Sequence, residues 1–325
     1  MTVFLIRRLM QSVAVLLVMS MLVFVGVFAI GNPVELLIAP EATPAEREET
    51  IHNLGLDRPL WAQYIAFLKG AVRGELGNSF IHNIPALKLI LMRAPATLEL
   101  ASAAILIAVV FGIPFGLWAG LRPNSIFGRS IMAGSILGFS LPTFWIGLMM
   151  VLVFAVSFGW LPTSGRGETV RILGLSVSFL TLDGLKHIIL PAVNLSLFPL
   201  ALVIRLTRAG VRETLPLDFI KFARAKGLKT RRVILVHVLK NIMIPIVTVV
   251  GIQFGIVLAF AVVTESVFAW PGMGKLIIDS INHLDRPVVV AYLLVTVLIF
   301  ILINLVVDVL YSVLDPRVRL GELKE

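Results

Sequence analysis

A chain of 325 residues that is 58% apolar, with mean hydropathy +0.98, exceeds the roughly 45–50% apolar share of soluble domains, which excludes a soluble globule. The net charge of +9 is concentrated: Arg205 to Lys240 holds ten Lys/Arg against Glu213 and Asp218, without the interleaved aromatics or reader fold of a nucleic-acid site. The absence of cysteine excludes a disulfide framework, a thiolate zinc site and a thiol nucleophile.

Leu9 to Ile30 carries no charge and follows Arg7 and Arg8. It is longer than the about 7–15 apolar residues of a signal peptide, so a retained membrane helix with a cytoplasmic N-terminus is expected. Residues 31–97 form the longest polar section. Glu41, Glu46, Glu48 and Glu49, with Pro40 and Pro44, predict a short exposed helix there. The strings Leu54-Gly-Leu-Asp-Arg-Pro-Leu60, Gln63-Tyr64 and Gly74-Glu-Leu-Gly-Asn-Ser79 are assigned to an external loop.

Leu100 to Ala119 is the second span. Its Gly112, Gly116 and Gly120 predict close approach by another helix, and Pro114 predicts a bend. Arg122 and Arg129 bracket a cytoplasmic loop. Ile131 to Trp160 is the third span, longer than the about 20 residues needed to cross; Pro142 divides or kinks it, and Gly134-x-x-x-Gly138 is a further small-residue face. Trp160 to Gly165 leaves the membrane at an aromatic anchor, and the chain to His187 is external. Ile188 to Ile204 is expected as a short fourth span broken by Pro191 and Pro199. Asn241 to Thr264 is the fifth, with Pro245 and Gly251-x-x-x-Gly255, and Glu265 to Lys275 is again external. Val288 to Val307 is the sixth, ending at Asn304, Asp308 and Tyr311, and Asp315-Pro-Arg-Val-Arg319 stops it in the cytoplasm. Six spans with both termini inside put 17 of the 28 Lys/Arg on the cytoplasmic side, as the charge-bias rule requires.

Between the fourth and fifth spans lies a short basic segment, Thr214 to Arg232. Pro216 suits a first helical turn, Asp218 the dipole-favoured N-terminal end, and Gly227 the residue past the helix end. Leu215, Phe219 and Phe222 recur at i, i+4 and i+7 on one face, with Lys221, Arg224 and Lys226 around the remainder. Such a helix suits docking of a soluble partner. Basic loops also mark the cytoplasmic side with nothing docked.

The pattern Ala223-Arg-Ala225-Lys-Gly227, followed by His237-Val-Leu-Lys-Asn241, resembles the permease subunits of binding-protein-dependent ABC importers. Their general motif has Glu where Lys221 stands, Ala where Phe222 stands and Pro where Lys240 stands. Those departures fit the dipeptide/oligopeptide branch. Phe144-Trp-Ile-Gly147, Gly159-Trp-Leu-Pro162, Trp270-Pro-Gly-Met-Gly274, Asp285-Arg-Pro-Val288 and Asn304 to Tyr311 resemble that branch as well.

The resemblance implies an all-α integral membrane protein with six transmembrane helices and a type I ABC importer permease (MetI-like) fold, in the bacterial cytoplasmic (inner) membrane. Residues 1–97 would form the first helix and a long external loop, and 98–325 the transmembrane core, with a coupling loop at 205–240. It implies a second permease, two cytoplasmic ATPases holding ATP and magnesium, and a periplasmic or lipid-anchored solute-binding protein. No cofactor is expected on this chain. Leu215, Asp218, Phe219, Phe222, Ala223, Arg224, Ala225, Lys226, Gly227 and His237 are the expected ATPase-coupling residues. Trp160, Pro162 and Gly165, with Trp270, Pro271, Gly272 and Gly274, are the candidates for contact with the binding protein. The solute is expected to be a di- or oligopeptide, or else glutathione, a nickel complex or an oligosaccharide.

No enzyme constellation is present in the sequence. Gly272-Met-Gly-Lys275 ends like a phosphate loop, but Ala269 replaces its first glycine and Leu276 its hydroxyl residue. The five histidines are too scattered for a His-Glu-x-x-His site, and no Gly-x-Ser-x-Gly elbow exists. Polar groups within spans are expensive. Asn194, Gln253 and Asn304 are candidates for the solute path, or for bonds across helices; Asp308 is read as an interfacial carboxylate, and Glu265 belongs to the same polar set. The rival readings are an ion-coupled secondary transporter, which calls for inverted repeats and a midplane charge, and a membrane scaffold, which needs no polar path.

Overall fold

A computed structural model describes residues 2–29, 57–172 and 174–314, with single positions at 43, 45, 48, 51 and 52. Most of the acidic stretch around Glu41 to Glu49, the string at 53–56, the side chains of Asp308 and Tyr311, and the stop sequence at 315–319 lie outside the described residues. The chain divides into two units: Met1–Arg93 with Leu276–Ile301, and Ala94–Lys275 with Leu302–Glu325.

In the first unit, α1 (Thr2–Ala29) is the expected first span. The polar section contains a helix where a loop is expected, α2 (Leu60–Arg73). Pro59, extended at φ −55° and ψ 145°, opens it, and Gly74 at φ +79° closes it with a bond from Glu75 N to the Gly70 carbonyl. The turn at 77–86 precedes α3 (Ala86–Leu121) and is fastened to the turn before α10 (Arg286–Leu314). There the buried Asp285 accepts from Ser79 Oγ at 2.5 Å and from Phe80 N at 3.2 Å. The Asp-Arg-Pro-Val string is thus a loop anchor.

The second unit contains the remainder of α3 and then α4 (Ile126–Ser140), whose N-cap Ser125 accepts from Gly128 N. After Pro142 comes α5 (Thr143–Met150), prolonged by a π-helical turn at Val151–Ser157. The axis bends by 108° at this break, so the third span is divided. A two-stranded antiparallel hairpin, β1 (Val170–Ile172) and β2 (Leu175–Val177), leads to α6 (Leu182–Thr214), capped by Thr181. The fourth span is therefore neither short nor broken: α6 runs for 33 residues through both prolines. Buried Pro191 and Pro199 sit inside it, where tertiary packing offsets the lost backbone bonds. Next come α7 (Asp218–Ala225), a single helical turn at Thr230–Arg232, a π-helical segment at Val233–Val238, and α8 (Leu239–Val267). The helix α9 (Met273–Asn282) follows, with residues in both units.

Among the described residues, five helices are long and apolar enough to cross a membrane, and the bent α4–α5 pair, counted as one span, makes six.

The glycine stripes fare unequally. A Cβ at Gly112 or Gly120 would stand 2.7–2.9 Å from Val203 or Val211 side-chain atoms, and one at Gly116 would strike Thr207. The ridge Val203-x-x-x-Thr207-x-x-x-Val211 of α6 thus lies directly on the groove of α3, as expected. Gly251 packs in the same way on Val307. By contrast, Gly134 has nothing within 4 Å and Gly138 only Leu197 at 3.9 Å, so that pair receives no close partner among the described residues.

Candidate functional site

The basic segment is built around α7. Its helix starts at Asp218 and not at Leu215: α6 continues to Thr214, and Leu217, with φ −67° and ψ 148°, is the N-cap. Pro216 ends the first helix because it lacks the N–H to continue the ladder, so its role is stop and not start. Leu215 consequently leaves the expected face and packs half-buried on the core below.

Helical spacing then splits α7 into two faces. Ile220 and Ala223 are buried in a cluster with Val203 and Val211 of α6, Val233 and Val238 of the π segment, and Ile242 and Ile246 of α8. Phe219 and Phe222 point the other way, 44% and 61% exposed. Lys226 Nζ lies 4.5 Å from the centre of the Phe222 ring, and Lys221 reaches Asp218 at 2.9 Å on the surface. Arg224 and Ala225 are exposed, and His237 is half-buried within the π segment.

The end of α7 follows the expectation. Gly227 adopts φ +75°, its N–H donates to Arg224 O, and Leu228 N donates to Ala223 O. A Cβ there would meet nothing within 4 Å, so the backbone conformation alone selects glycine. Asn241 Nδ2 donates to Thr214 Oγ1 at 3.2 Å, tying the end of α6 to the start of α8.

The second cluster of candidates lies around the 268–275 turn, which the structure turns inward. Trp270 was expected on a contact surface, but it has no exposed area, and its Nε1 donates to the Ala96 carbonyl of α3 at 2.9 Å. Gly272 and Gly274 are buried because Glu265 occupies the space beside them; any side chain at 272 would collide with its carboxylate. Glu265, itself fully buried, accepts from Thr97 Oγ1 at 2.6 Å and from Lys275 N at 2.9 Å, while Thr97 Oγ1 accepts from Met273 N. The Trp-Pro-Gly-Met-Gly string is a cradle around a carboxylate. Pro271 is half-buried.

Beside it stands a second buried carboxylate, Glu99, which no local sequence motif marks. Glu99 Oε1 accepts from Ser178 N at 2.7 Å, Ser178 Oγ at 2.8 Å and Phe179 N at 3.0 Å. Its Oε2 takes both Nε and Nη2 of Arg166, whose Nη2 also reaches Ser176 O. The Arg166 guanidinium lies 5.8 Å from the Trp270 ring, and Gly165 N donates to Phe268 O, so the two expected contact loops are joined. Their outward-facing aromatic is Trp160, 65% exposed and 4.6 Å from the Phe158 ring, with Pro162 and Gly165 half-buried.

The path candidates are placed separately. Asn194 is fully buried, its Nδ2 donates to Thr264 Oγ1 at 3.1 Å, and its Oδ1 has no partner among the described residues. Gln253 is buried with an unmatched Oε1, and Asn304 is half-buried.

Long apolar helices, a broken span and a basic helix held on the bundle define a multi-pass membrane transport component. The chain belongs to the family of binding-protein-dependent transport system inner membrane components, matched over residues 112–320, with residues 1–101 matching the N-terminal module of such membrane components. It is a permease subunit of an ABC importer in the bacterial inner membrane. It is 41% identical over 302 residues to the di/tripeptide transport system permease protein of Pseudomonas aeruginosa (strain UCBPP-PA14), covering 89% of this chain and 90% of that one. It is 38% identical over 333 residues to the dipeptide transport system permease protein of Escherichia coli (strain K12), covering 97% and 98%. The fold is that of an inward-facing methionine ABC transporter, MetNI, with a TM-score of 0.55 at 17% identity over 71% of this chain and 98% of that one.

Proposed function

We propose that this permease pairs with a second one to carry di- or oligopeptides inward, and that α7 is the face on which a cytoplasmic ATPase subunit docks. The observation that carries the coupling role is the division of α7. Its inner face is locked into the core by Ile220 and Ala223, and its outer face offers two uncovered phenylalanines among cations. A helix so tied moves as one piece with the ends of α6 and α8. Closure of the ATPases around ATP would displace Phe219 and Phe222, and the rigid core would pass that displacement to the spans. Hydrolysis would reset it. Arg224 and Lys226 would fix the orientation at the rim, and Gly227 would let the chain leave sharply enough to keep the face clear.

ATP and magnesium belong to the ATPase subunits in this reading, and both termini lie in the cytoplasm. Asn194, Gln253 and Asn304 would supply polar contacts along the path. Trp160, Pro162 and Gly165 would meet the solute-binding protein, with Trp270, Pro271, Gly272 and Gly274 supporting them from beneath. The peptide class is supported by the di/tripeptide and dipeptide permeases that the chain resembles over most of its length.

The test is a mild-detergent pull-down of the tagged chain from its native host, with the captured proteins identified by mass spectrometry. A second multi-span permease and Walker-motif ATPases are expected, and Phe222→Cys in that complex should cross-link to an ATPase subunit. A chain that purifies alone and still drives uptake from an ion gradient would sink the coupling role.

A further inference from the structure

Arg205 is a cation on the most enclosed helix of the second unit, and no carboxylate meets it there. Of the five long spans, α6 is the most buried. Its ridge of Val203, Thr207 and Val211 lies on α3, and Asn194 bonds to Thr264 of α8. One stripe stays less covered: Phe198, Leu202, Arg205, Ala209 and Arg212, at i, i+4, i+7, i+11 and i+14. Asn194 stands on the same stripe, about one turn before Phe198. Arg205 Nε donates to the Ala201 carbonyl at 3.3 Å, and its guanidinium carbon lies 4.7 Å from the centre of the Phe139 ring. That ring, on α4, stacks on Phe198 with centroids 4.8 Å apart. Neither Nη group of Arg205 has a bonding partner among the described residues, nor has the buried Nε of nearby Arg208.

The direction of the Arg205 side chain separates two possible ligands. Along α6 it stands about 14 Å from the Thr214 end and much further from Leu182, so the Thr214 end is the nearer to a membrane surface. An arginine serving lipid phosphate would snorkel toward that surface. Arg205 turns the other way, back along the span. Its Nε reaches Ala201, about one turn earlier, and its guanidinium lies on a ring stacked against Phe198, about two turns earlier. An ionisable group turned into a span without a counter-charge is expensive, and such groups mark the routes of charged solutes.

We propose, resting on the peptide-import reading above, that Arg205 binds the C-terminal carboxylate of a peptide in transit. With Nε held by Ala201, the guanidinium still offers its two Nη groups, an edge that matches the two oxygens of a carboxylate. The exposed rings of Phe139 and Phe198 lie beside that edge and receive the neighbouring apolar or aromatic side chain. Every peptide with a free C-terminus carries this carboxylate whatever its side chains, so one fixed cation serves the whole solute class. Arg212 continues the stripe toward the end of the helix, where a released carboxylate meets a further positive charge.

The test uses the assembled transporter in phosphatidylcholine nanodiscs, without binding protein or nucleotide. It is photolabelled with the dipeptide 4-benzoylphenylalanyl-alanine or with its C-terminal amide, and labelled residues are located by mass spectrometry. The acid is expected to label the segments around Phe139 and Phe198 several-fold more than the amide. Arg205→Gln should abolish that difference, and Arg205→Lys, which keeps the charge, should retain part of it. Equal labelling by acid and amide in the wild type, including none by either, would overturn the proposal. So would a preference for the acid that survives Arg205→Gln. Labelling that disappears once phosphatidylglycerol is added would overturn it too, because lipid phosphate would then hold the guanidinium. ATP-driven dipeptide uptake by wild-type vesicles with the native binding protein keeps the two readings apart. Its absence would remove the peptide-import reading, whereas normal uptake with equal labelling would remove only the role of Arg205.

Discussion

The coupling helix and the 268–275 turn both carry compact, motif-dense sequence, yet they use it in opposite directions. On α7 the motif divides: Ile220 and Ala223 hold the helix down while Phe219 and Phe222 remain outside. In Trp270-Pro-Gly-Met-Gly274 the tryptophan and both glycines turn inward around Glu265, and the exposed aromatics nearby are Phe158 and Trp160. One motif presents a surface and the other supports one. The contrast gives a sharp expectation for mutations: changes at 270 should act through stability, and changes at 222 through coupling.

The largest effect is expected at Trp270. Trp270→Ala empties a fully buried site and removes the indole bond to the Ala96 carbonyl, at a cost of about 3–5 kcal/mol. Thermal unfolding of the purified protein in detergent or nanodiscs should show a large loss, together with reduced yield. A variant that unfolds normally but fails to import would return Trp270 to the contact surface and break the comparison.

The Glu99–Arg166 pair sharpens it next. Glu99→Ala leaves Arg166 and the Ser178 and Phe179 amides without their acceptor, and removal of one partner from a buried ion pair costs about 3–5 kcal/mol. Arg166→Met should cost less, because Glu99 keeps three donors on Oε1 and the methionine fills part of the space. The same melting measurement ranks the two. The reverse order would mean that the arginine, and not the carboxylate, organises the hairpin.

The legibility of these features in sequence follows their range. Spans could be read because lack of charge over some twenty residues is a local property, and the break at Pro142 announced itself in the same way. Close approach at Gly112 to Gly120 was legible, but the similar spacing at Gly134 and Gly138 meets no close partner among the described residues, since spacing says nothing about whether a ridge arrives. The start of α7 was misplaced because Pro216 can open a helix or end one, and α6 proved long enough for it to act as the stop. Pro191 and Pro199 misled in the other direction, since buried neighbours carried α6 through them. Glu99 and Arg166, 67 positions apart, left no local signal at all. Trp270 gave a local signal but no direction, because composition marks a turn without showing which side chain it buries. Helix α2 was missed because its apolar stretch, Leu60 to Leu68 broken only at Gln63, is far shorter than the about twenty residues that mark a span.

Gly227→Val tests the aim of α7 apart from its face. The positive φ there costs a β-branched residue about 1–2 kcal/mol, and with open space around the Cβ that cost is backbone strain alone. Insertion and complex assembly should survive, while ATP hydrolysis no longer rises when binding protein and peptide are added to reconstituted vesicles. Retained stimulation would mean that the turn after α7 carries no part of the coupling.

The smallest structural effect, and the most telling functional one, is expected at Phe222. With 61% of its surface exposed in the isolated chain, Phe222→Ala should shift stability by no more than about 0.5 kcal/mol. The inner face that holds α7, Ile220 and Ala223, is untouched by the change. If the ring is the knob on which an ATPase bears, this nearly silent substitution should still lower peptide uptake severely and weaken capture of the ATPase. Phe219→Ala would do so less, because its ring is already more covered. Ile220→Ala should show the inverse profile, with a clear loss of melting temperature, since a fully buried side chain is truncated. Equal melting and equal transport losses for 220 and 222 would erase the distinction between a holding face and a presenting face, and coupling would have to be sought elsewhere along the basic loop.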